Sequence, residues 1–279
     1  MSRPTGTLRL MTWNIHGGIG PDGCFDLDRI AALIDRHSPD VLALQEIDTR
    51  GRSVECLAPL RGLAASHLTE ARTIAVPDGH YGHALFSRWP VSDVELHDLS
   101  IHRREPRVAI GGVLHTPLGP LHLVAVHLGL AILERRRQAR ELARLAREVA
   151  GRPSAMPTVM LGDFNDWFSF GEVSRTLWRV LPERTRLRTF PAFFPVLRLD
   201  RIYCSTAGMI VDTFTDTEAR AASDHLPIIA DIRLVPQARP MAHSPEPAID
   251  GHVDLSGQRS PDQRSREVAE GAVHDTHPA

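Results

Sequence analysis

Residues Thr158 to Asp166 read TVMLGDFND, an apolar run interrupted by Gly162 and closing on Asp163, Asn165 and Asp166. Thr158–Leu161 has the content of a buried strand. In layered α/β proteins, ligands bind beyond strand ends, where loops converge. A strand that closes on two carboxylates and a carboxamide is therefore a candidate site as well as a fold signal.

The same pattern recurs outward along the chain. MTWN ends on Asn14, VLALQE on Glu46 and LVAVH on His127, while Asp224 and His225 stand directly before the apolar run LPIIADI. Strands are predicted at Leu8–Trp13, Val41–Gln45, His83–Ser87, Arg107–Leu114, Leu121–Val126, Thr158–Leu161, Leu199–Cys204 and Leu226–Ile232. Helical spacing covers Leu27–His37, with Asp26 or Asp28 placed to cap it, and Leu130–Ala150. In the second helix the reading puts Leu133, Leu142, Leu145 and Val149 on a core face, and Arg135, Arg136, Arg137, Arg140 and Arg144 toward water. Strands mixed with helices predict an α/β fold whose sheets are covered by helices.

Composition narrows the chemistry. At 279 residues and 42% hydrophobic content, the chain can bury a sizeable core. All 32 basic residues are Arg, so no Lys can act as nucleophile, Schiff base or phosphate-loop residue. No G-x-S-x-G is present either, which argues against a serine hydrolase of that type. The formal net charge of −2 argues against a protein that coats nucleic acid by bulk charge. Cys24, Cys56 and Cys204 are far apart, without C-x-x-C spacing, and read as reduced, mostly buried thiols. With no secretory signal and no apolar run long enough to span a bilayer, the expected location is cytoplasmic. Residues 236–279 are rich in Pro, Ser, Gly, His and charge, with four Arg against seven Asp or Glu, and are expected to form a disordered tail of charge −3. The body, residues 1–235, then carries +1.

Taken singly, each polar strand end has an ordinary explanation. Asn14 can form a turn, Glu46 can be a solvated terminus, His127 a satisfied imidazole, and Asp163 or Asp224 can cap local backbone. Taken together they resist it, because chance would have to place all of them at the ends of apolar runs. Oxygen donors with imidazoles suit a hard divalent cation and a phosphate.

TWNIHGG, LALQEID, YGHALFSRWPV, EPRVAI, VHLGL, GDFNDW, LDRI and SDHLP occur in the order found in the endonuclease/exonuclease/phosphatase family, with the DNase I-like fold. The chain resembles a bacterial branch of that family from about Leu8 to Ile232. The resemblance implies a four-layer α/β/β/α sandwich of two mixed sheets, with residues 1–235 as the catalytic domain. It also implies a phosphoesterase, best read as a phosphodiesterase, that uses Mg²⁺ or Mn²⁺. Glu46 would be the principal metal ligand, with Asn14 orienting metal or phosphate and Asp224 supporting the metal site. Asp163 with Asn165 would hold and deprotonate the attacking water, and His225, fixed by Asp200, would contact the phosphate. His127 would stabilise charge at phosphorus or assist the leaving group. Arg104 and Arg107 flank Glu105-Pro106, and either could clamp a phosphate or remain a solvated loop residue; His83 is read as a strand residue or a phosphate contact. Trp167 is expected to pack. The substrate is a phosphate ester of lipid, small-molecule or nucleic-acid origin, and no protein partner is evident. The alternatives are a DNA endonuclease or exonuclease of the same family and a non-catalytic scaffold.

Overall fold

The computed structural model describes residues 3–63, 65, 67–152, 155–167 and 171–234. The segment 236–279, set apart by composition, lies outside the described residues. The elements follow as β1 (Leu8–Asn14), α1 (Leu27–His37), β2 (Val41–Asp48), α2 (Ala58–Arg61), β3 (His67–Val76), β4 (Gly79–Ser87), β5 (Val91–Asp98) and β6 (Val108–Thr116). They continue with β7 (Gly119–His127), α3 (Ile132–Ala150), β8 (Thr158–Asp163), α4 (Glu172–Trp178), β9 (Glu183–Arg184), β10 (Asp200–Cys204), β11 (Ile210–Phe214) and β12 (Ile228–Ile232). Two six-stranded sheets result, ordered β11-β12-β1-β2-β4-β3 and β5-β6-β7-β8-β10-β9.

Each sheet contains one parallel pair, β1 with β2 and β7 with β8; the other named pairings are antiparallel. A helix crosses over within each pair, α1 in the first sheet and α3 in the second. Period-two alternation then builds three cores. Leu8 and Leu10, Leu121, Leu123 and Ala125, Val159 and Leu161, and Ile202 point between the sheets. Met11, Trp13, Leu42 and Leu44 face α1 and α2, while Val124, Val126 and Met160 face α3. The architecture is the four-layer α/β/β/α sandwich.

Local details bear out or correct the expectations. Asp26, not Asp28, caps α1, accepting the Arg29 amide at 3.0 Å. In α3, Leu142, Leu145 and Val149 are buried, but Leu133 is 73% exposed and Arg135 is buried. The reason is phase. Leu133 lies nine residues before Leu142, roughly 180° around a helix of 3.6 residues per turn, whereas Arg135, seven before, lies almost beneath it. The Arg135 guanidinium instead reaches the carbonyls of Gly129 and Leu130. Of the three thiols only Cys204 is buried; Cys24 is exposed. Trp167 is 47% exposed rather than packed. Among the described residues, no helix is long and apolar enough to cross a membrane.

Candidate active site

The inward rows of the intersheet core do not stop where the apolar residues stop. Leu8 and Leu10 lead through Thr12 to Asn14; Leu121, Leu123 and Ala125 lead to His127; Val159 and Leu161 lead to Asp163. Asn14, His127 and Asp163 therefore face inward at the C-terminal ends of β1, β7 and β8. Asp200 opens antiparallel β10 at the same end, paired with Asp163. The candidate site is the polar end of the intersheet core.

Two backbone devices aim these groups. In β2, Gln45 and Glu46 together oppose His83 of β4, a bulge that turns Glu46 out of the regular alternation with φ +60°. Asn165 also holds a positive φ, +49°. Gly162, with φ +150°, lets β8 press against β7, where a Cβ would meet the Val126 carbonyl oxygen at 2.0 Å.

The hydrogen bonds join the two sheets. Asn14 Nδ2 donates to Glu46 Oε1 at 2.8 Å and to Asp163 Oδ2 at 3.1 Å. His127 Nε2 lies 3.8 Å from Glu46 Oε1 and 3.9 Å from Asp163 Oδ2. The Asn165 amide donates to Asp163 Oδ1 at 2.8 Å, and its side chain donates to the Leu128 carbonyl at 2.9 Å. His225 Nδ1 is 2.9 Å from Asp200 Oδ2. Asp224 is more open, its carboxylate 4.0 Å from His16 Nδ1.

Charge is unevenly distributed. Burial, reinforced by Asp200, raises the Asp163 carboxyl to about 6. Burial works against charge on His225, but Asp200, with Asp163 and Asp224 behind it, outweighs burial and lifts the imidazole to about 10. His127 is held well below its ordinary value by burial and by Arg107, His83 and His225. His83 is pushed down to about 4 by burial and Arg107.

Asp163, Asp200 and His225 each bring a ligand-type atom within 4.8 Å of one another. That trio is the poorer cation site, because Asp200 already engages His225 as an ion pair. Among the described residues, the Glu46 and Asp163 carboxylates accept hydrogen bonds only from neutral amides, the Asn14 side-chain oxygen accepts the His16 amide, and Asp200 Oδ1 and Asp224 Oδ1 are buried without a hydrogen-bond partner. Such a set fits a hard divalent cation, which needs only one or two carboxylates.

Residues 11–225 match the Endonuclease/Exonuclease/phosphatase family. The chain belongs to this family. It is 33% identical over 252 residues to "Uncharacterized protein YbhP" of Escherichia coli K12, covering 82% of this chain and 97% of the relative. Among solved structures, an endonuclease/exonuclease/phosphatase from Beutenbergia cavernae superimposes with TM-score 0.66 at 22% identity, over 84% of this chain and 72% of the other. The human nocturnin catalytic domain with bound sulfate anion gives 0.62 at 18% identity, over 84% and 97%.

Within this family member, the structure separates the two candidate arginines. Arg107 is buried beside His127 and His83, paired with Glu105, and its Nε has no hydrogen-bond partner among the described residues. Arg104 is exposed and lines a different cleft with Arg136, Arg137 and Arg140. His83 is buried, and its Nε2 has no hydrogen-bond partner among the described residues. Asp166, adjoining the cluster in sequence, turns away to Ser174 and Arg201.

Three residues were given no role by the sequence reading. Tyr81, two residues before His83 in YGHALFS, is pushed well above its usual range by burial and by Glu46 and Glu105. Ser223 Oγ donates to the Asn14 carbonyl at 2.7 Å and accepts the His225 amide at 3.1 Å. Trp13 Nε1 donates to the His225 carbonyl at 2.9 Å. The last two fasten β1 to the loop before β12, and only the pairing of distant segments makes that visible.

Proposed function

We propose that this chain is a divalent-metal-dependent phosphodiesterase that hydrolyses a P–O bond by in-line attack of water. The observation that carries the reading is the Asn14 amide held between the Glu46 and Asp163 carboxylates, one from each sheet. Glu46, Asn14 and Asp224 would hold Mg²⁺ or Mn²⁺, which when bound would supply Lewis-acid neutralisation of phosphoryl charge.

The protein's own groups account for the remaining steps. Asp163 accepts the proton of the attacking water, a task suited to a carboxyl raised by burial and held by Asn165. Asp200 fixes His225 through Nδ1, leaving Nε2 for a phosphoryl oxygen. Arg107 and His83 offer unpartnered buried nitrogens to the same phosphate. His127 faces the centre with its charged form disfavoured by burial, so it can offer the leaving oxygen a hydrogen bond, while the proton that oxygen finally takes up comes from solvent. The cytoplasm, where Mg²⁺ is plentiful, is the proposed location.

The test is a panel of bis-p-nitrophenyl phosphate, phosphomonoesters, inositol phosphates, phospholipids and plasmid DNA, each with Mg²⁺ and with EDTA. Phosphodiester turnover abolished by EDTA is the expected result. Turnover that persists in EDTA would remove the mechanism, and no turnover of any ester would favour a non-catalytic family member.

A further inference from the structure

Among the described residues, the five most exposed large apolar side chains are Phe193 (86%), Leu133 (73%), Phe194 (71%), Leu130 (67%) and Ile132 (61%). They occupy two segments, each following closely in sequence on residues bonded to the candidate site. Leu128, just before the leucine segment, donates its amide to the Asp163 carbonyl and accepts from Asn165, both at 2.9 Å. The phenylalanine segment begins at Phe190, whose ring centroid is 4.8 Å from that of His225, and the Ala192 amide donates to the Asp224 carbonyl at 2.6 Å. The protruding tips thus lie within five residues, in sequence, of groups that contact the candidate site.

Beside the leucine segment the surface is strongly basic. Leu133 shares a cleft of about 550 Å³ with Arg104, Arg136, Arg137 and Arg140. Its one lining acid, Glu134, is buried and turned to the Ala131 amide and Gln138. Of the four arginines, only Arg136 has an acid within ion-pair range among the described residues, Glu172 at 3.7 Å. Arg136 and Arg140 also border a second cleft, of about 380 Å³, lined further by Arg147, Arg175 and Arg179 against one acid, Glu172.

We propose that these tips and arginines dock the protein on an anionic phospholipid surface, so that the site reaches the phosphodiester of a lipid headgroup. The shape of the tips argues for this occupant. Side chains exposed by 61–86% stand out from the surface rather than line a groove, and they suit a fluid partner that closes around them. Of the five tips only Phe193 and Phe194 have a π-face for a nucleobase, while Leu130, Ile132 and Leu133 suit acyl chains better than single-stranded nucleic acid. Arginines without acidic partners leave positive charge for phosphate headgroups, each strengthening binding about fivefold near an anionic surface. The substrate part of this inference rests on the proposed phosphodiesterase reading; the docking part stands without it.

The test is co-sedimentation of the full chain with vesicles of phosphatidylcholine alone or mixed with phosphatidylglycerol. Binding to the mixed vesicles, weakened by salt, is expected. The double variants Leu130→Ser/Leu133→Ser and Phe193→Ser/Phe194→Ser should each weaken it by at least about tenfold. Arg137→Gln/Arg140→Gln should weaken it by about twenty-five-fold. All three should retain wild-type turnover of soluble bis-p-nitrophenyl phosphate, which also shows that they fold. Failure to sediment with the mixed vesicles, or sedimentation indifferent to these substitutions, overturns the docking. So does oligonucleotide binding or self-association through the same residues in place of vesicle binding. Vesicle binding without hydrolysis of any ester keeps the docking and removes the substrate assignment. Hydrolysis of soluble esters without vesicle binding keeps the phosphodiesterase and removes the docking.

Discussion

Asp163 and Asp166 lie three residues apart in one motif and are equally buried, at 1% and 3% exposure, yet their surroundings are opposite. Asp166 Oδ2 is saturated, accepting from Ser174 N at 3.1 Å, Ser174 Oγ at 2.7 Å and Arg201 Nη1 at 3.1 Å. Asp163 receives only amides and faces Asp200, which helps raise its carboxyl to about 6. A buried carboxylate matched by a buried cation holds structure. One left short of positive charge is held ready for a cation or a proton, at a cost in stability.

The largest expected effect tests the structural half of this contrast. Asp166→Ala strands the buried Arg201 guanidinium and should destabilise the fold by about 3–5 kcal/mol; urea unfolding with an unchanged midpoint would show that the pair is dispensable. Next in size is the catalytic half. Asp163→Ala should lower phosphodiester turnover by on the order of 10²–10³, about 2.7–4 kcal/mol in barrier, without unfolding the protein. Wild-type turnover by this variant would end the assignment of Asp163 as base.

A smaller effect has the opposite sign. Because the folded protein raises the Asp163 carboxyl from 3.8 to about 6, it favours the protonated form. That contribution is complete below pH 3.8, is lost as pH rises through about 6, and leaves the charged form a liability above it. In EDTA at pH 8, Asp163→Asn should therefore be more stable than wild type by about 1–3 kcal/mol. Thermal melts should show the advantage shrinking toward pH 4, and an advantage independent of pH would mean that charge is not its cause. The smallest effect is that of Ser174→Ala, which removes one partner of Asp166 but leaves Arg201. It should cost about 1 kcal/mol, read by urea unfolding, and leave turnover as it was; a loss of activity would join the two regions into one functional unit.

How much was legible beforehand divides along the sheets. The eight predicted strands are the eight interior strands, and the four not predicted, β3, β5, β9 and β11, are the four sheet edges. Interior strands are apolar on both faces and announce themselves as runs. An edge strand such as β5, VSDVELHD, is largely solvent-exposed and carries no run to find. The candidate groups sit at the ends of interior strands or in the segments beside them, so Asn14, Glu46, His127, Asp163, Asp200 and His225 could be named in advance. The phase of α3 was misread, with Leu133 set on the core face, although counting nine residues from Leu142 puts it on the outer one.

By itself, the sequence determined that the inward apolar rows end in carboxylates, carboxamides and imidazoles, because alternation along a strand is local and a side chain's face follows from its position. Which carboxylate is neutralised and which is left wanting was decided only by tertiary structure. Asn14 meets Asp163 across 149 residues, Arg201 meets Asp166 across 35, and a bulge in β2 aims Glu46. Pairing and burial depend on what the second sheet brings opposite, and no local pattern encodes that. The same holds for Arg104 and Arg107, neighbours in one loop, of which the fold encloses Arg107 beside His127 and leaves Arg104 on the surface.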